Sequence, residues 1–86
     1  MNIFAIKFLT RRGCHLCDAA RPLLRSEARR LGLELIEVDL DHDDRLLALY
    51  GLRIPVVLGP GDRVLAEGVI QDRKLVRRAL RQAHHG

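Results

Sequence analysis

The hydrophobic pattern begins with a short continuous apolar run, NIFAIKFL at residues 2–9. Such a run, rich in Ile and Phe, is typical of a strand buried on both faces of a mainly parallel sheet. From Cys14 the apolar spacing becomes helical, and Gly32 is a plausible end for this helix. Pro22 lies inside the helix and should kink it, because proline lacks an N–H donor. We expect these apolar helix positions to face inward: Leu16, Ala20, Leu23, Leu24, Ala28 and Leu31.

Residues 33–40, LELIEVDL, alternate between apolar and acidic side chains and predict a second strand. Asp41 is a good N-cap for a second helix of about two turns, which Gly51 closes. The stretch IPVVLGPGDRVLAEG, residues 54–68, predicts two strands around a tight turn rich in Gly and Pro.

The remaining residues, 69–86, predict a final helix that begins at Gln71 or Asp72. Its apolar positions, expected to face inward, are Val69, Leu75, Val76, Ala79 and Leu80. The element order is therefore β-α-β-α-β-β-α. Its first part is a right-handed crossover that pairs two parallel strands, and its second part adds an antiparallel hairpin. We predict an α/β fold with a four-stranded mixed sheet flanked by three helices, forming one domain over residues 1–86.

Composition and charge exclude some classes of function. A hydrophobic content of 48% is too high for a disordered chain. The net charge is +4, and the basic stretches Arg21–Arg30 and Arg73–Arg81 are interpreted as solvated helix faces. Three aromatic residues, all in apolar surroundings, do not make a stacking platform for single-stranded nucleic acid. We therefore expect no nucleic-acid partner.

The N-terminal apolar run is too short for the core of a signal peptide, and no stretch is long enough to span a membrane. We expect a cytoplasmic protein without a membrane partner. Thiols in the cytosol are kept reduced, so we do not expect two neighbouring cysteines there to form a permanent structural disulfide.

Cys14 and Cys17 are the two cysteines of the chain, separated by His15 and Leu16. A C-x-x-C pair at a strand-to-helix junction within a β-α-β pattern indicates a redox motif. The helix N-terminus and the neighbouring Arg11 and Arg12 stabilise a Cys14 thiolate. Lowering a thiol pKa from ~8.5 to ~6.5 raises its ionised fraction at pH 7 from about 3% to roughly 75%. Cys14 is therefore the predicted nucleophile, and Cys17, one turn further along, resolves the mixed disulfide.

Other interpretations of the pair stay open. A structural zinc site within one chain usually needs four ligands, and no His or Asp here has ligand-like spacing. Zinc or an iron–sulfur cluster shared between two chains would need only this pair from each. A copper-carrier loop, an inert thiol pair and a regulatory thiol protein without turnover are further alternatives. The sequence favours a redox role over all of these alternatives. We expect no metal ion to be bound within a single chain.

Pro55 is the second candidate feature, in the stretch RIPVV. A proline is tolerated at the first position of a strand, where its missing N–H is not needed. The alternative is a cis Ile54–Pro55 bond in a turn beside the cysteines. The residues alone do not decide between these two, since few X–Pro bonds are cis.

Together these features resemble the thioredoxin superfamily, and most closely the small glutaredoxin-like proteins. The resemblance covers nearly the whole chain and rests on GCHLC after the first strand, on Pro22, on YGLRIPVV and on Gly68. It implies the thioredoxin fold, a cis Pro55 and Cys14 as the attacking thiol. It also implies that the Ile54 backbone pairs with the extended chain of a substrate, a form of strand addition.

Arg11 stands where glutaredoxins carry a lysine that meets a carboxylate of glutathione. The resemblance therefore implies substrate-binding residues Arg11, Arg12, Ile54, Pro55 and Gly68. The chain departs from typical glutaredoxins in having His15 and Leu16 between the cysteines and one Gly in EGVIQD. We expect a monomeric dithiol–disulfide oxidoreductase that acts on protein or glutathione mixed disulfides. No bound cofactor is expected; glutathione is the expected co-substrate and electron donor, with a thioredoxin-reductase-type partner as the alternative donor.

Overall fold

The described part of the computed structural model, residues 4–84, forms a mixed four-stranded sheet in the order β2-β1-β3-β4. The strands are β1 (Ala5–Thr10), β2 (Glu34–Asp39), β3 (Val56–Leu58) and β4 (Val64–Glu67). The helices are α1 (His15–Arg30), α2 (Asp44–Tyr50) and α3 (Arg73–Arg81), with short 3-10 turns at Leu40–His42, Pro60–Asp62 and Gln82–His84. Strand β1 pairs in parallel with β2, and the pairs β1–β3 and β3–β4 are antiparallel. The predicted element order is confirmed. Residues 2–3 of the predicted first strand and 85–86 of the predicted last helix lie outside the described residues.

The two faces of the sheet bury separate apolar clusters, because successive strand residues point to opposite sides. Ile6 and Phe8 of β1 and Val57 of β3 belong to the cluster that α1 and α3 cover. Leu9 of β1 and Val56 of β3 belong to a smaller cluster on the opposite face, beside α2. The expectation that both faces of the first strand are buried holds only in part, since Lys7 is exposed.

Helix α1 places a narrow apolar stripe against the sheet. Cys17, Ala20, Leu24 and Ala28 are buried, whereas the predicted inward position Leu16 is 42% exposed. Leu16 lies at the edge of this stripe, about 100° around the helix from the buried Cys17. The helix continues through Pro22 without a break. Its end was predicted correctly: Gly32 follows the last turn with a φ of 69°, a left-handed conformation that glycine adopts without steric cost.

Helix α3 begins after Asp72, whose carboxylate accepts hydrogen bonds from the amides of Lys74 and Leu75. This N-cap confirms one of the two predicted starts. Two of the apolar residues expected to face inward do not: Leu75 is 58% exposed and Val69 is 66% exposed. The face of α3 that is buried is narrower than the set of apolar positions in its sequence. The buried residues of this region are Val76, Leu80 and Ala83.

The predicted start of α2 at Asp41 is wrong by two residues. The carboxylate of Asp43, not of Asp41, accepts a hydrogen bond from the amide of Leu46 at 3.0 Å and caps the helix. The chain first makes a 3-10 turn at Leu40–His42, because Leu40 is fully buried and must turn into the core before the helix begins.

Glu27 of α1 is fully buried between α1 and α3 and binds two arginines. One carboxylate oxygen accepts from Arg77 at 2.7 Å, and the other accepts from Arg73 at 2.5 Å. The hydrogen bond from Arg77, followed by that from Arg73, outweighs burial and lowers the pKa of Glu27 below its ordinary value. A buried carboxylate with both oxygens bonded ties the start of α3 to the middle of α1.

Candidate active site

The strand register brings the predicted site residues to one end of the sheet. Thr10 at the end of β1 pairs with Asp39 at the end of β2, since these strands are parallel. Leu9 pairs with Val56 at the start of β3, and Val56 pairs with Glu67 at the end of β4. The loops that follow β1, β2 and β4 and the loop that precedes β3 therefore meet at the same edge. The residues predicted from the sequence to form the site lie in three of these loops, apart from Cys17, which is in the first turn of α1.

Cys14 is the N-cap residue of α1. The turn before it passes through Gly13, whose φ is 81°, and the amide of Cys14 donates to the carbonyl of Arg11 at 3.3 Å. The Sγ of Cys14 accepts a hydrogen bond from the amide of Cys17 at 3.1 Å. Cys14 has an extended backbone, with φ −85° and ψ 103°. Its sulfur thus occupies the position in which an Asp or Ser oxygen caps other helices, where negative charge is stabilised by free N–H groups.

Cys14 and Cys17 are joined by a disulfide bond in the structure, with their Cα atoms 5.2 Å apart. The two sulfurs differ in exposure. Cys14 is half-buried at the border of the core, whereas Cys17 is fully buried within it. A disulfide exchange partner can therefore reach Cys14 and cannot reach Cys17 without opening the core. The two cysteines of the pair are therefore not equivalent in accessibility.

Asp18, in the first turn of α1, is the acidic side chain closest in sequence to the cysteines. A free carboxylate there would oppose a thiolate at Cys14. Asp18 is paired instead with Arg21 at 2.8 Å, and Arg21 also binds Glu37 of β2. The hydrogen bonds from Arg21 to Asp18 and then to Glu37 raise the pKa of Arg21 above its ordinary value. The negative charge of Asp18 is thereby largely compensated.

Pro55 lies in the loop before β3, at the same edge of the sheet as the cysteines, and its peptide bond with Ile54 is cis in the structure. The carbonyl oxygen of Pro55 accepts a hydrogen bond from the amide of Gly68 at 2.9 Å. Gly68 has a φ of 80°, a left-handed conformation. Ile54 is half-buried and touches both apolar clusters, and Cys14 touches one of them. The structure thus brings these predicted site residues to the same edge of the sheet: Cys14, Cys17, Ile54, Pro55 and Gly68. Their roles stay predictions.

Arg11 and Arg12 lie on the same edge but have different surroundings. Arg11 donates to the carboxylate of Asp41 at 2.8 Å, with both side chains about two-fifths exposed. Arg12 is exposed and makes no hydrogen bond or ion pair within residues 4–84. The pairing of Arg11 with Asp41 was missed from the sequence. The signal for it was the predicted parallel pairing of the first two strands, since Arg11 and Asp41 both follow the ends of these strands.

Over the described residues, no group of three His, Cys, Asp or Glu side chains is arranged to hold a metal ion. None of the helices formed by residues 4–84 is long and apolar enough to cross a bilayer. At this edge of the sheet lie two cysteines, Cys14 and Cys17, and two arginines, Arg11 and Arg12.

Comparison with solved structures supports the fold. Target protein XcR50 of X. campestris is 32% identical, covers 91% of this chain and 97% of its own, and superimposes with a TM-score of 0.73. Protein Ne2328 of Nitrosomonas europaea is 26% identical, with coverages of 88% and 89% and a TM-score of 0.70. Thioredoxin 1 of Thermosipho africanus is only 13% identical, yet it covers 94% of both chains with a TM-score of 0.67. The last likeness shows the thioredoxin fold alone.

Sequence comparison identifies the family. No protein with a curated function matches the chain. The model of the glutaredoxin-like domain (DUF836) matches residues 5–78, which include both cysteines, Pro55 and Gly68. This match covers every strand and most of α3. The chain therefore belongs to the glutaredoxin-like domain family, within the thioredoxin superfamily.

Proposed function

We propose that this protein is a dithiol–disulfide oxidoreductase that reduces protein or glutathione mixed disulfides. The Cys14 thiolate attacks one sulfur of the substrate disulfide, forms a mixed disulfide and expels the first substrate thiolate, which takes up a proton. Cys17 then loses its proton and attacks the Cys14 sulfur, which releases the second substrate thiol. The substrate gains two electrons and two protons, and the protein is left with the Cys14–Cys17 disulfide.

One observation carries this proposal: a half-buried Cys14 sulfur caps α1, next to a fully buried Cys17 at 5.2 Å between Cα atoms. The helix cap stabilises a thiolate, the form that attacks disulfides. Cys17 is close enough to form a disulfide with Cys14, so it can displace the substrate sulfur that is bound to Cys14. An inert pair would not need this difference in exposure.

The loops beside the cysteines are suited to hold an extended substrate chain. Ile54 is half-buried at the start of the cis loop, and the Gly68 amide holds the adjoining Pro55 carbonyl. We propose that the Ile54 backbone pairs with the substrate by strand addition. Arg12 is free to meet a substrate carboxylate, and Arg11 can do so by leaving Asp41, an exposed pair of small net stability. Glutathione, with two carboxylates, is the proposed co-substrate.

The paired variants Cys14→Ser and Cys17→Ser test the roles. The reduced wild type should reduce bis(2-hydroxyethyl) disulfide in an assay coupled to glutathione, glutathione reductase and NADPH. Cys14→Ser should lose this activity, whereas Cys17→Ser should trap a mixed disulfide on Cys14 that mass spectrometry detects. Full activity of Cys14→Ser would overturn the proposal.

We further propose that the protein works as a cytoplasmic monomer without a bound cofactor and that glutathione, rather than a thioredoxin-reductase-type partner, reduces its disulfide. Reduction of the oxidised protein by glutathione and by thioredoxin reductase with NADPH, followed side by side, distinguishes the donors. The competing function is a metal- or cluster-binding module that uses the same two thiolates. Anaerobic purification followed by metal analysis tests it: stoichiometric metal without thiol–disulfide activity would favour the module.

A further inference from the structure

A groove lined by arginines runs along the outer side of α1. It is formed by Pro22, Arg25, Ser26, Arg29 and Arg30, has a volume of about 420 Å³, and is called here the arginine groove. These residues recur at helical spacing on the side of α1 that points away from the sheet, opposite the buried Cys17, Leu24 and Ala28. The groove is therefore an external surface with three guanidinium groups.

The positive charge of the arginine groove is mostly uncompensated. Arg29 and Arg30 are exposed and make no ion pair with any residue from 4 to 84. Arg25 reaches Glu37 only at 3.5 Å, and its side chain is 60% exposed. Each guanidinium has five N–H donors in a planar fork that fits a carboxylate in a bidentate manner. Most of these donors face solvent.

Helix α3 extends the same positive surface. Ser26 of the groove accepts a hydrogen bond from Arg73 at 3.1 Å, so the first residue of α3 borders the groove. Residues 73–81 contain four arginines and one lysine and no acidic residue. The one acidic side chain between the two helices, Glu27, is buried and already bound by Arg73 and Arg77. No exposed carboxylate of α3 therefore offsets the charge of the groove.

The position of the groove relates it to the thiol chemistry. Pro22 and Arg30 follow Cys14 by 8 and 16 residues. At the helical rise of 1.5 Å per residue they lie roughly 12 and 24 Å from the start of α1. A protein that docks on this molecule covers about 800 Å² of its surface, a patch about 30 Å across. A protein whose disulfide sits on Cys14 can thus also cover the arginine groove.

We propose that the arginine groove binds an acidic segment of the protein whose disulfide reacts at Cys14. The inference rests on the proposed function and names a class of its partner: proteins that carry clustered Asp or Glu within about 25 Å of the reactive disulfide. The alternative polyanion, a single-stranded nucleic acid, is disfavoured because no aromatic side chain lies in the groove for bases to stack on. The guanidinium groups of the groove offer positive charge and paired N–H donors, and the carboxylate of an acidic side chain interacts with both.

Two probe peptides test the proposal. Each carries one cysteine in a mixed disulfide with thionitrobenzoate, followed by an eight-residue Gly-Ser linker that reaches up to about 27 Å. The linker ends in six glutamates in one peptide and six serines in the other. Release of the coloured thionitrobenzoate by the reduced protein is followed by stopped flow. We expect the wild type to react at least about fivefold faster with the glutamate peptide at low salt, and this preference to disappear at high salt.

Variants locate the effect. Arg29→Ser/Arg30→Ser should abolish the preference, whereas Arg45→Ser, which removes an exposed arginine from α2, should keep it. All three proteins should reduce bis(2-hydroxyethyl) disulfide at the same rate, since this small neutral substrate does not reach the groove. Equal rates of the wild type with both peptides, or a preference that survives in the double variant, would overturn the inference while leaving the proposed function intact. If the wild type fails to reduce bis(2-hydroxyethyl) disulfide, that result would count against the proposed function instead.

A binding measurement separates the two polyanions without relying on variants. Fluorescence anisotropy at low salt compares a labelled twelve-residue glutamate peptide with a labelled single-stranded DNA of about 12 nucleotides. The proposal requires binding of the glutamate peptide that weakens with salt and that the unlabelled DNA strand does not outcompete at equal charge. Tighter binding of the DNA strand, or binding of neither, would contradict it.

Discussion

The amide of Gly68 donates a hydrogen bond of 2.9 Å to the carbonyl oxygen of Pro55. This bond joins the loop after β4 to the loop before β3, at the edge of the sheet where the cysteines lie. It depends on the left-handed backbone of Gly68, since φ is 80° there. A side chain at this position would meet no atom within 4 Å, so the restriction on residue 68 comes from the backbone and not from space.

Gly68→Ala should therefore destabilise the protein by about 1 kcal/mol, the cost of a left-handed conformation for a residue with a Cβ. It should also lower kcat/KM for disulfide reduction, because relaxation of the backbone moves the amide away from Pro55. Urea unfolding and the coupled reduction assay measure the two effects.

Gly32→Ala is the matched control, because Gly32 has a φ of 69° and equally open surroundings at the far end of α1. It should cost a similar free energy of unfolding and leave kcat/KM unchanged. An equal loss of kcat/KM in both variants would show that the effect at Gly68 is only one of stability.

The two reduced thiols should differ in reactivity. Cys14 caps α1 and is half-buried, whereas Cys17 is fully buried. In the reduced wild type at pH 7, iodoacetamide should modify Cys14 at least about tenfold faster than Cys17, since attack needs an exposed thiolate. Peptide mapping by mass spectrometry after timed quenching gives both rates. Comparable rates, or faster labelling of Cys17, would contradict the assigned roles.

Glu27→Gln should destabilise the protein at pH 7, because it removes the charge that binds Arg73 and Arg77 in a buried site. We expect the melting temperature to fall by about 5 °C or more. The pKa of Glu27 is lowered in the folded protein, chiefly by the hydrogen bond from Arg77. Its ionised form therefore stabilises the fold above the ordinary value of 4.5, and this contribution is lost as the pH falls through the lowered pKa.

The difference between the wild type and Glu27→Gln should consequently shrink as the pH falls below 4.5 and through the lowered pKa of Glu27. Thermal unfolding followed by circular dichroism across this range tests the trend. Glu67→Gln serves as the control, because Glu67 is also paired with an arginine, Arg53, but is 42% exposed. Its effect at pH 7 should be much smaller, as for other exposed pairs. A difference for Glu27→Gln that is independent of pH would refute the assigned role of its charge.

The start of α2 can be tested by comparing two aspartates. Asp43→Ala removes the hydrogen bond to the amide of Leu46 and should cost about 1 kcal/mol, as for other N-caps. Asp41→Ala removes only the exposed pair with Arg11 and should cost about 0.5 kcal/mol or less. Urea unfolding of both variants measures the difference. A larger loss in Asp41→Ala would restore Asp41 as the cap.

The element order could be predicted because the apolar spacing changes clearly at each boundary, and because Gly32, Asp72 and the turn at residues 59–62 mark ends that local chemistry determines. The positions of Leu16, Leu75 and Asp41 could not be predicted. Burial of the first two depends on how wide a face of each helix the core covers, since each lies next to a buried residue, Cys17 or Val76. The cap depends on Leu40 entering the core first. These are tertiary effects that local spacing does not contain.

The thiol pair and Pro55 could be found from the sequence, since their motifs are local. The partners of the charged residues could not, because they come from distant parts of the chain. Glu27 is 46 and 50 residues from its two arginines, and Arg11 is 30 from Asp41. A signal for Glu27 was nevertheless present: it lies between Leu24 and Ala28 on the apolar stripe of α1, where an acidic residue requires a buried counter-charge.

The pairing of Leu9 with Val56 has a consequence for engineering. This pairing of buried strand residues fixes where the loop that carries Cys14 lies relative to the loop that carries Pro55. We therefore expect the position of neither loop to depend on the identity of His15 or Leu16. Those two residues are exposed, so we expect that exchanging them would change the surroundings of the pair while the strands that hold it stay in place. If the proposed function holds, the chain would serve as a small scaffold in which the reactivity of the pair and the placement of the site are varied separately.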